Sequence, residues 1–129
     1  MPAMPMQHEK DPKDVILDAL GDVSEFGVWH NQVLVAVYER PERTRSGIIL
    51  ADTTRDEDKF QGKVGLVVKL GPQAFVDDDK WTFANKANLH DWVWFRAAES
   101  YAVTVNGKLC RVVDDNKIRG DLPHPDMVW

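Results

Sequence analysis

The sequence is poor in the residues that mark secreted and membrane proteins. Among its 129 residues there is one cysteine, Cys110. One cysteine cannot form an internal disulfide, which excludes the small disulfide-stapled domains and favours a reducing compartment such as the cytoplasm. No apolar run approaches the roughly 18 residues that a membrane span needs. Residues 1–6 also lack the basic segment and the long apolar stretch of a signal peptide, so we expect no membrane partner.

Positive charge is scarce as well. The chain carries 16 Lys and Arg against 21 Asp and Glu, for a net charge of −5. The electrostatic footprint of a nucleic-acid binder is therefore missing. One basic run, Arg40 to Arg45, is interleaved with Glu39 and Glu42. A solvated strand end or loop explains that run better than a phosphate site.

Catalytic and metal-binding patterns are absent too. There is no G-x-G-x-x-G and no G-x-S-x-G, so neither a dinucleotide site nor a hydrolase nucleophile is indicated. The four histidines have no His-x-x-x-His spacing. The acidic runs 77–79 and 114–116 lack the ligand spacing of a Ca²⁺ loop, and solvated turns are the better interpretation. We predict no enzyme activity, no metal and no cofactor.

What is present begins with a helix signal. Asp11 can cap a helix, Pro12 suits its first position and Gly21 can end it. Apolar residues follow at helical spacing between them, which predicts a short helix over residues 12–20. We interpret residues 1–27 as an extension that the rest of the domain does not need for folding but that contributes to a contact.

From residue 28 onward the pattern is that of an all-β domain. Short apolar segments are separated by Gly and Pro, and Asn106-Gly107 is a strong signal for a two-residue hairpin turn. Together they predict a small, partly closed β-barrel over residues 28–122, followed by a tail at 123–129. The predicted core residues are Val33, Val35, Val37, Val64, Val67, Val93, Phe95, Val103, Leu109 and Val112.

Several of these segments, in this order, resemble the GroES co-chaperonin family. Residues 30–35 (His-Asn-Gln-Val-Leu-Val) are similar to its opening strand, and residues 44–53 contain Ser-Gly-Ile-Ile-Leu-Ala-Asp, similar to the core of its mobile loop. Residues 61–71 resemble the strand after that loop. Residues 89–95 (Leu-His-Asp-Trp-Val-Trp-Phe) are similar to the family's Val-Gly-Asp-x-Val-x-Phe, and residues 101–113 to its last hairpin. Between Gly71 and Leu89 the family's roof hairpin is not recognisable.

The resemblance implies a GroES-like barrel with a long loop at about residues 43–60, and a specific activity. Family subunits form a ring that caps a large chaperonin, to which ATP is bound, and assist protein folding in the cytoplasm. It implies that Gly47, Ile48, Ile49 and Leu50 bind the partner, although a buried strand is the alternative from the pattern alone. It also implies a homo-oligomer contact between the strand with Val33, Val35 and Val37 and a neighbour's strand around Ile118.

A structural protein is the second hypothesis. A barrel with an apolar helix and a tail ending in Trp129 could cement a larger assembly, such as a viral capsid, and would then be found in the virion. Phage-encoded co-chaperonins exist, so both hypotheses are compatible with a phage origin.

Overall fold

The structure is a computed structural model that describes residues 11–39, 49, 64–76 and 87–125. Within these residues there are one α-helix, α1, and six strands. The helix spans Pro12–Leu20 and the strands are β1 (Gln32–Val37), β2 (Val64–Leu70), β3 (Trp92–Phe95), β4 (Ser100–Val105), β5 (Lys108–Asp114) and β6 (Ile118–Leu122). The prediction of an all-β fold with one short helix is confirmed.

Helix α1 begins and ends where the sequence predicts. The Asp11 carboxylate accepts a hydrogen bond from the Lys13 N–H at 2.9 Å, and Pro12 follows directly. At the other end Gly21 has a φ of 67°, and its N–H donates to the Leu17 carbonyl. This is the conformation that glycine adopts at low cost, so the helix stops there.

The strands form one antiparallel sheet in the order β4-β5-β1-β2-β3-β6. In a flat sheet, β5 and β6 would be four strand spacings apart, about 19 Å. The chain from Asp114 to Ile118 can span at most about 14 Å. Because the residues between the two strands make a direct connection, the sheet must curl until its edges approach each other. The described strands therefore form a strongly curved, barrel-like sheet.

Two apolar clusters lie on opposite faces of this sheet. One contains Val33, Val35, Val67, Val93 and Phe95, with Phe75 and Ala87 from the adjoining turns. The other contains Leu34, Ala36, Leu66, Trp92 and Cys110, and here Ile16 and Leu20 of α1 complete the packing. Strand β1 is therefore buried on both faces, which matches its continuous apolar sequence.

Most predicted core residues are buried. Eight of the ten lie in the buried class, while Val103 and Val112 are only partly covered. Both of these lie in the β4–β5 hairpin, which forms one end of the sheet. An edge hairpin has fewer neighbours, so alternation alone overestimates how deeply its apolar residues are buried.

The packing of α1 argues against the interpretation of residues 1–27 as an accessory extension. Leu20 is only 1% exposed and Ile16 is 5% exposed, both against sheet residues. The Lys69 ammonium donates to the carbonyls of Val23 and Ser24 at 2.8 and 3.1 Å. The segment is thus held by the sheet through apolar and polar contacts, and its removal would expose one face of the core.

Candidate partner-contacting surfaces

Ile49 is the part of the predicted partner-binding loop that the structure describes. Its side chain is 56% exposed, so it is not a core residue of the barrel. This exposure fits a side chain that is available to a partner better than it fits a buried strand. The neighbouring predicted contacts Gly47, Ile48 and Leu50 lie outside the described residues.

The predicted subunit-contact residues of β1 lie inside the sheet. Val33, Val35 and Val37 have 0% exposure. Strand β1 is paired with β2 along one edge and with β5 along the other. It therefore offers a neighbouring subunit neither a free backbone edge nor a side chain, and the predicted pairing through β1 would require the sheet to open.

Ile118 lies in a more accessible place. It is partly buried against the cluster of Val33 and Phe95, and it begins β6. Strand β6 is paired with β3 on one side, and no described strand covers its other edge. Of the two strands predicted to form the subunit contact, β6 is thus the one with backbone groups left for a neighbour.

A charged cluster holds the two ends of the sheet together. The Arg119 guanidinium of β6 donates to both carboxylate oxygens of Glu99 at 3.1 and 3.2 Å, and Lys117 lies 3.4 Å away. Glu99 directly precedes β4, the opposite edge strand. The hydrogen bond from Arg119 is the main cause that lowers the pKa of the Glu99 carboxyl, with further lowering from Lys117. We call Glu99, Lys117 and Arg119 the closure cluster.

Asp115 is a second side chain that links distant parts of the chain, and the sequence alone does not reveal this role. It lies between β5 and β6, is 1% exposed, and accepts hydrogen bonds from the Asn31 side chain and the Phe75 N–H. Its own N–H donates to the Asn31 carbonyl at 2.9 Å. The run 114–116, interpreted as a solvated turn, therefore contains a buried carboxylate that joins three parts of the chain.

A polar cleft of about 350 Å³ lies where α1, β3 and β6 meet. It is lined by Lys13, His90, Asp91, Trp92, Asp121, Leu122 and Pro123. The Asp91 carboxylate accepts a hydrogen bond from the Asn88 N–H, which fixes it as part of the turn before β3. The cleft brings one ammonium, one imidazole and two carboxylates together without an apolar pocket that would hold a small molecule.

The environment of Cys110 disfavours reactivity, and the described side chains form no metal centre. Cys110 is fully buried, and burial raises the pKa of its thiol to about 11. A thiol with that pKa is protonated at neutral pH and therefore a poor nucleophile. Over the described ranges, no three His, Cys, Asp or Glu side chains are grouped so that they could hold a metal ion. In those same ranges, no helix has the length and apolar character for crossing a membrane.

The described chain is a small, curved antiparallel β-sheet with an exposed isoleucine in the segment between β1 and β2, and with a free edge at β6. The profile of the chaperonin 10 kDa subunit family matches residues 26–122.

The chain belongs to the chaperonin 10 kDa subunit family, which confirms the resemblance to GroES. This is a co-chaperonin family and not an enzyme family. The comparison with curated proteins gives no match. Neither the fold nor the family match supports the capsid alternative or a phage origin.

Proposed function

We propose that this chain is the subunit of a homo-oligomeric ring that caps a large chaperonin in the cytoplasm and assists protein folding. Membership of a co-chaperonin family supports the general activity. The observation that carries the capping mechanism is the exposure of Ile49, which leaves an aliphatic side chain of the Gly47–Leu50 segment outside the core. The ATP that drives the cycle binds to the partner chaperonin and not to this chain.

The proposed contact is weak for one subunit and strong for a ring. Burial of the three aliphatic side chains Ile48, Ile49 and Leu50 contributes about 5–8 kcal/mol before costs. Ordering a loop residue costs about 1–2 kcal/mol, so fully ordering a loop of ten or so residues would offset all of this gain, and one loop alone binds weakly at best. Several loops held on one ring bind together through their high effective concentration. The cap can then bind firmly and still release when the partner changes shape.

The subunit contact that we propose uses the free edge of β6, which contains Ile118. Strand β1, with Val33, Val35 and Val37, supports this contact from inside the sheet and does not form it. An unpaired strand edge is a ready site for pairing with another chain, and a closed ring removes such edges from solvent.

The test replaces Ile49 by Asp and measures capping of a purified large chaperonin with ATP, together with assisted refolding of a substrate protein. Desolvating a carboxylate in an apolar groove costs several kcal/mol, so each loop should lose its contact. Val15→Asp is the matched control, because Val15 is similarly exposed, at 48%, but lies on α1. We expect Ile49→Asp to abolish capping and Val15→Asp to retain it.

Two results would contradict the proposal. If Ile49→Asp caps as well as the wild type, the partner-binding residues do not lie in the Gly47–Leu50 segment. If Ile49→Asp lowers the melting temperature far more than Val15→Asp, the segment contributes to the core and the buried-strand interpretation is correct.

A further inference from the structure

The segment from Asp11 to Gly27, which we call the arm, is held to the sheet by a further contact, made by the Asn106 side chain at the C-terminal end of α1. The Asn106 amide nitrogen donates to the Leu20 carbonyl at 2.8 Å and to the Asp22 carbonyl at 3.0 Å. Both hydrogens of that amide are thereby used. Asn106 thus satisfies one carbonyl at the end of α1 and one just beyond it, from the tip of the β4–β5 hairpin.

The residue after Asn106 is the one that makes an asparagine chemically labile. Gly107 has no side chain to shield its backbone nitrogen, and a Cβ placed there would meet no atom within 4 Å. Both residues are exposed, with φ values of 51° and 80°, as the two-residue hairpin turn requires. No side chain at position 107 stands between the Gly107 nitrogen and the Asn106 side chain.

We propose that Asn106 is a deamidation site and that docking of the arm protects it. In the reaction the Gly107 nitrogen gives up its proton and bonds to the Asn106 Cγ, the Cγ–Nδ2 bond breaks, and ammonia leaves. Water then opens the resulting succinimide at either carbonyl, leaving aspartate or isoaspartate. The balance is one water consumed and one ammonia released, with no change of oxidation state.

The docked arm opposes the first step of this reaction. Ring closure requires the side chain to swing over the Gly107 nitrogen, but its amide is held on the carbonyls of Leu20 and Asp22. The amide must release both hydrogen bonds before it can react. The rate should therefore follow the fraction of molecules in which the arm has opened locally.

The product cannot restore the contact. A carboxylate at position 106 has no hydrogen to donate, and it would face two carbonyl oxygens that have lost their partner. Asp22, whose carbonyl Asn106 holds, also carries a carboxylate whose pKa is lowered by its hydrogen bonds with Ser24, so this residue already bears a negative charge. Isoaspartate would also lengthen the backbone of the turn. Deamidation would thus weaken the hold on the arm irreversibly.

The test follows deamidation of the full chain by peptide mass mapping during incubation at mildly alkaline pH. Leu20→Ala should accelerate the reaction at Asn106 about tenfold or more, because it removes a buried contact of the arm. Lys69→Met keeps the aliphatic stem but removes the two tethers to Val23 and Ser24, and should accelerate it about threefold or more. This variant decides the question if Leu20→Ala does not fold.

The control is Val67→Ala, which destabilises the other core cluster and leaves the arm contacts in place. We expect its deamidation rate to equal that of the wild type while the chain stays folded. Asn106→Asp, which carries the product side chain, should increase hydrogen exchange in α1 relative to β1. The proposal is overturned if Val67→Ala accelerates the reaction as much as Lys69→Met, or if no arm variant changes the rate, or if Asn106→Asp leaves exchange in α1 unchanged.

Discussion

Gly65 shows how a single residue permits the close approach of two strands. It lies in β2 opposite Val37, and a Cβ there would overlap a methyl of Val35 and lie 2.7 Å from the Ala36 carbonyl oxygen. The Ala36 oxygen belongs to the backbone and cannot rotate away. The close approach of β1 and β2 at this point therefore requires the absence of a side chain.

Replacing Gly65 by Ala should lower the free energy of unfolding by about 1–3 kcal/mol, because the strands must separate to accept the methyl group. Gly27→Ala is the matched control, since a Cβ there meets only the Trp29 side chain at 3.4 Å. Urea denaturation of both variants measures the difference. Equal stability of Gly65→Ala and the wild type would show that the sheet is looser here than the structure indicates.

Some residue roles could be predicted from the sequence and others could not. The cap at Asp11 and the turn at Asn106-Gly107 are local, so their signals lie within a few neighbouring residues. Asp115 is different, because its partners Asn31 and Phe75 are 84 and 40 positions away along the chain. Nothing in a run of acidic residues distinguishes the carboxylate that is buried from those that are solvated.

At the scale of elements, the first and last residues of α1 could be predicted, but its packing against the sheet could not. The apolar spacing and caps are enough to give residues 12–20, and the structure confirms them. The resemblance to a known family implies no role for this helix, so the sequence alone favours an accessory extension. The helix packs on the cluster of Leu34 and Ala36, because this apolar face of the sheet needs a cover. Sequence patterns show that such a face exists but do not say which segment covers it.

Leu20→Ala should therefore destabilise the whole domain by about 2–5 kcal/mol, the range for removing a buried leucine side chain from a core. Val15→Ala on the same helix is the control, because Val15 is 48% exposed and alanine favours the helix. Thermal unfolding followed by the circular dichroism of the strands reports on the domain. If Leu20→Ala unfolds α1 while the strands melt as in the wild type, the extension is accessory after all.

The closure cluster acts at the scale of the whole molecule, because it joins residues from the two ends of the sheet. The lowered pKa of Glu99 means that the folded state favours its carboxylate more than the unfolded state does. Its contribution to stability is present above the unfolded pKa and is lost as the pH falls through the folded pKa. Salt should weaken it as well, since the ion pair is partly exposed.

The comparison of wild type with Glu99→Gln tests this. We expect the wild type to be more stable at neutral pH and the difference to disappear as the pH falls below 4.5, where the unfolded carboxyl protonates. Glu25→Gln, at an exposed position outside the cluster, is the matched control. A stability difference for Glu99→Gln that does not change with pH would mean that shape, and not charge, matters at this position.

The assembly itself provides the last prediction, because the sheet leaves different strands accessible. Within the described residues, β6 and β4 each have one edge without a partner strand, whereas β1 has none. If subunits pair through β6, raising the chain concentration should slow hydrogen exchange at amides of Ile118–Leu122. Exchange in β1 should not change with concentration, because its backbone groups are already paired in one chain.

Strand β4 serves as the internal control for an edge that does not take part. Sedimentation at tens of micromolar chain gives the oligomeric state under the same conditions. A chain that stays monomeric there, or an oligomer that protects β4 and not β6, would contradict the proposed subunit contact.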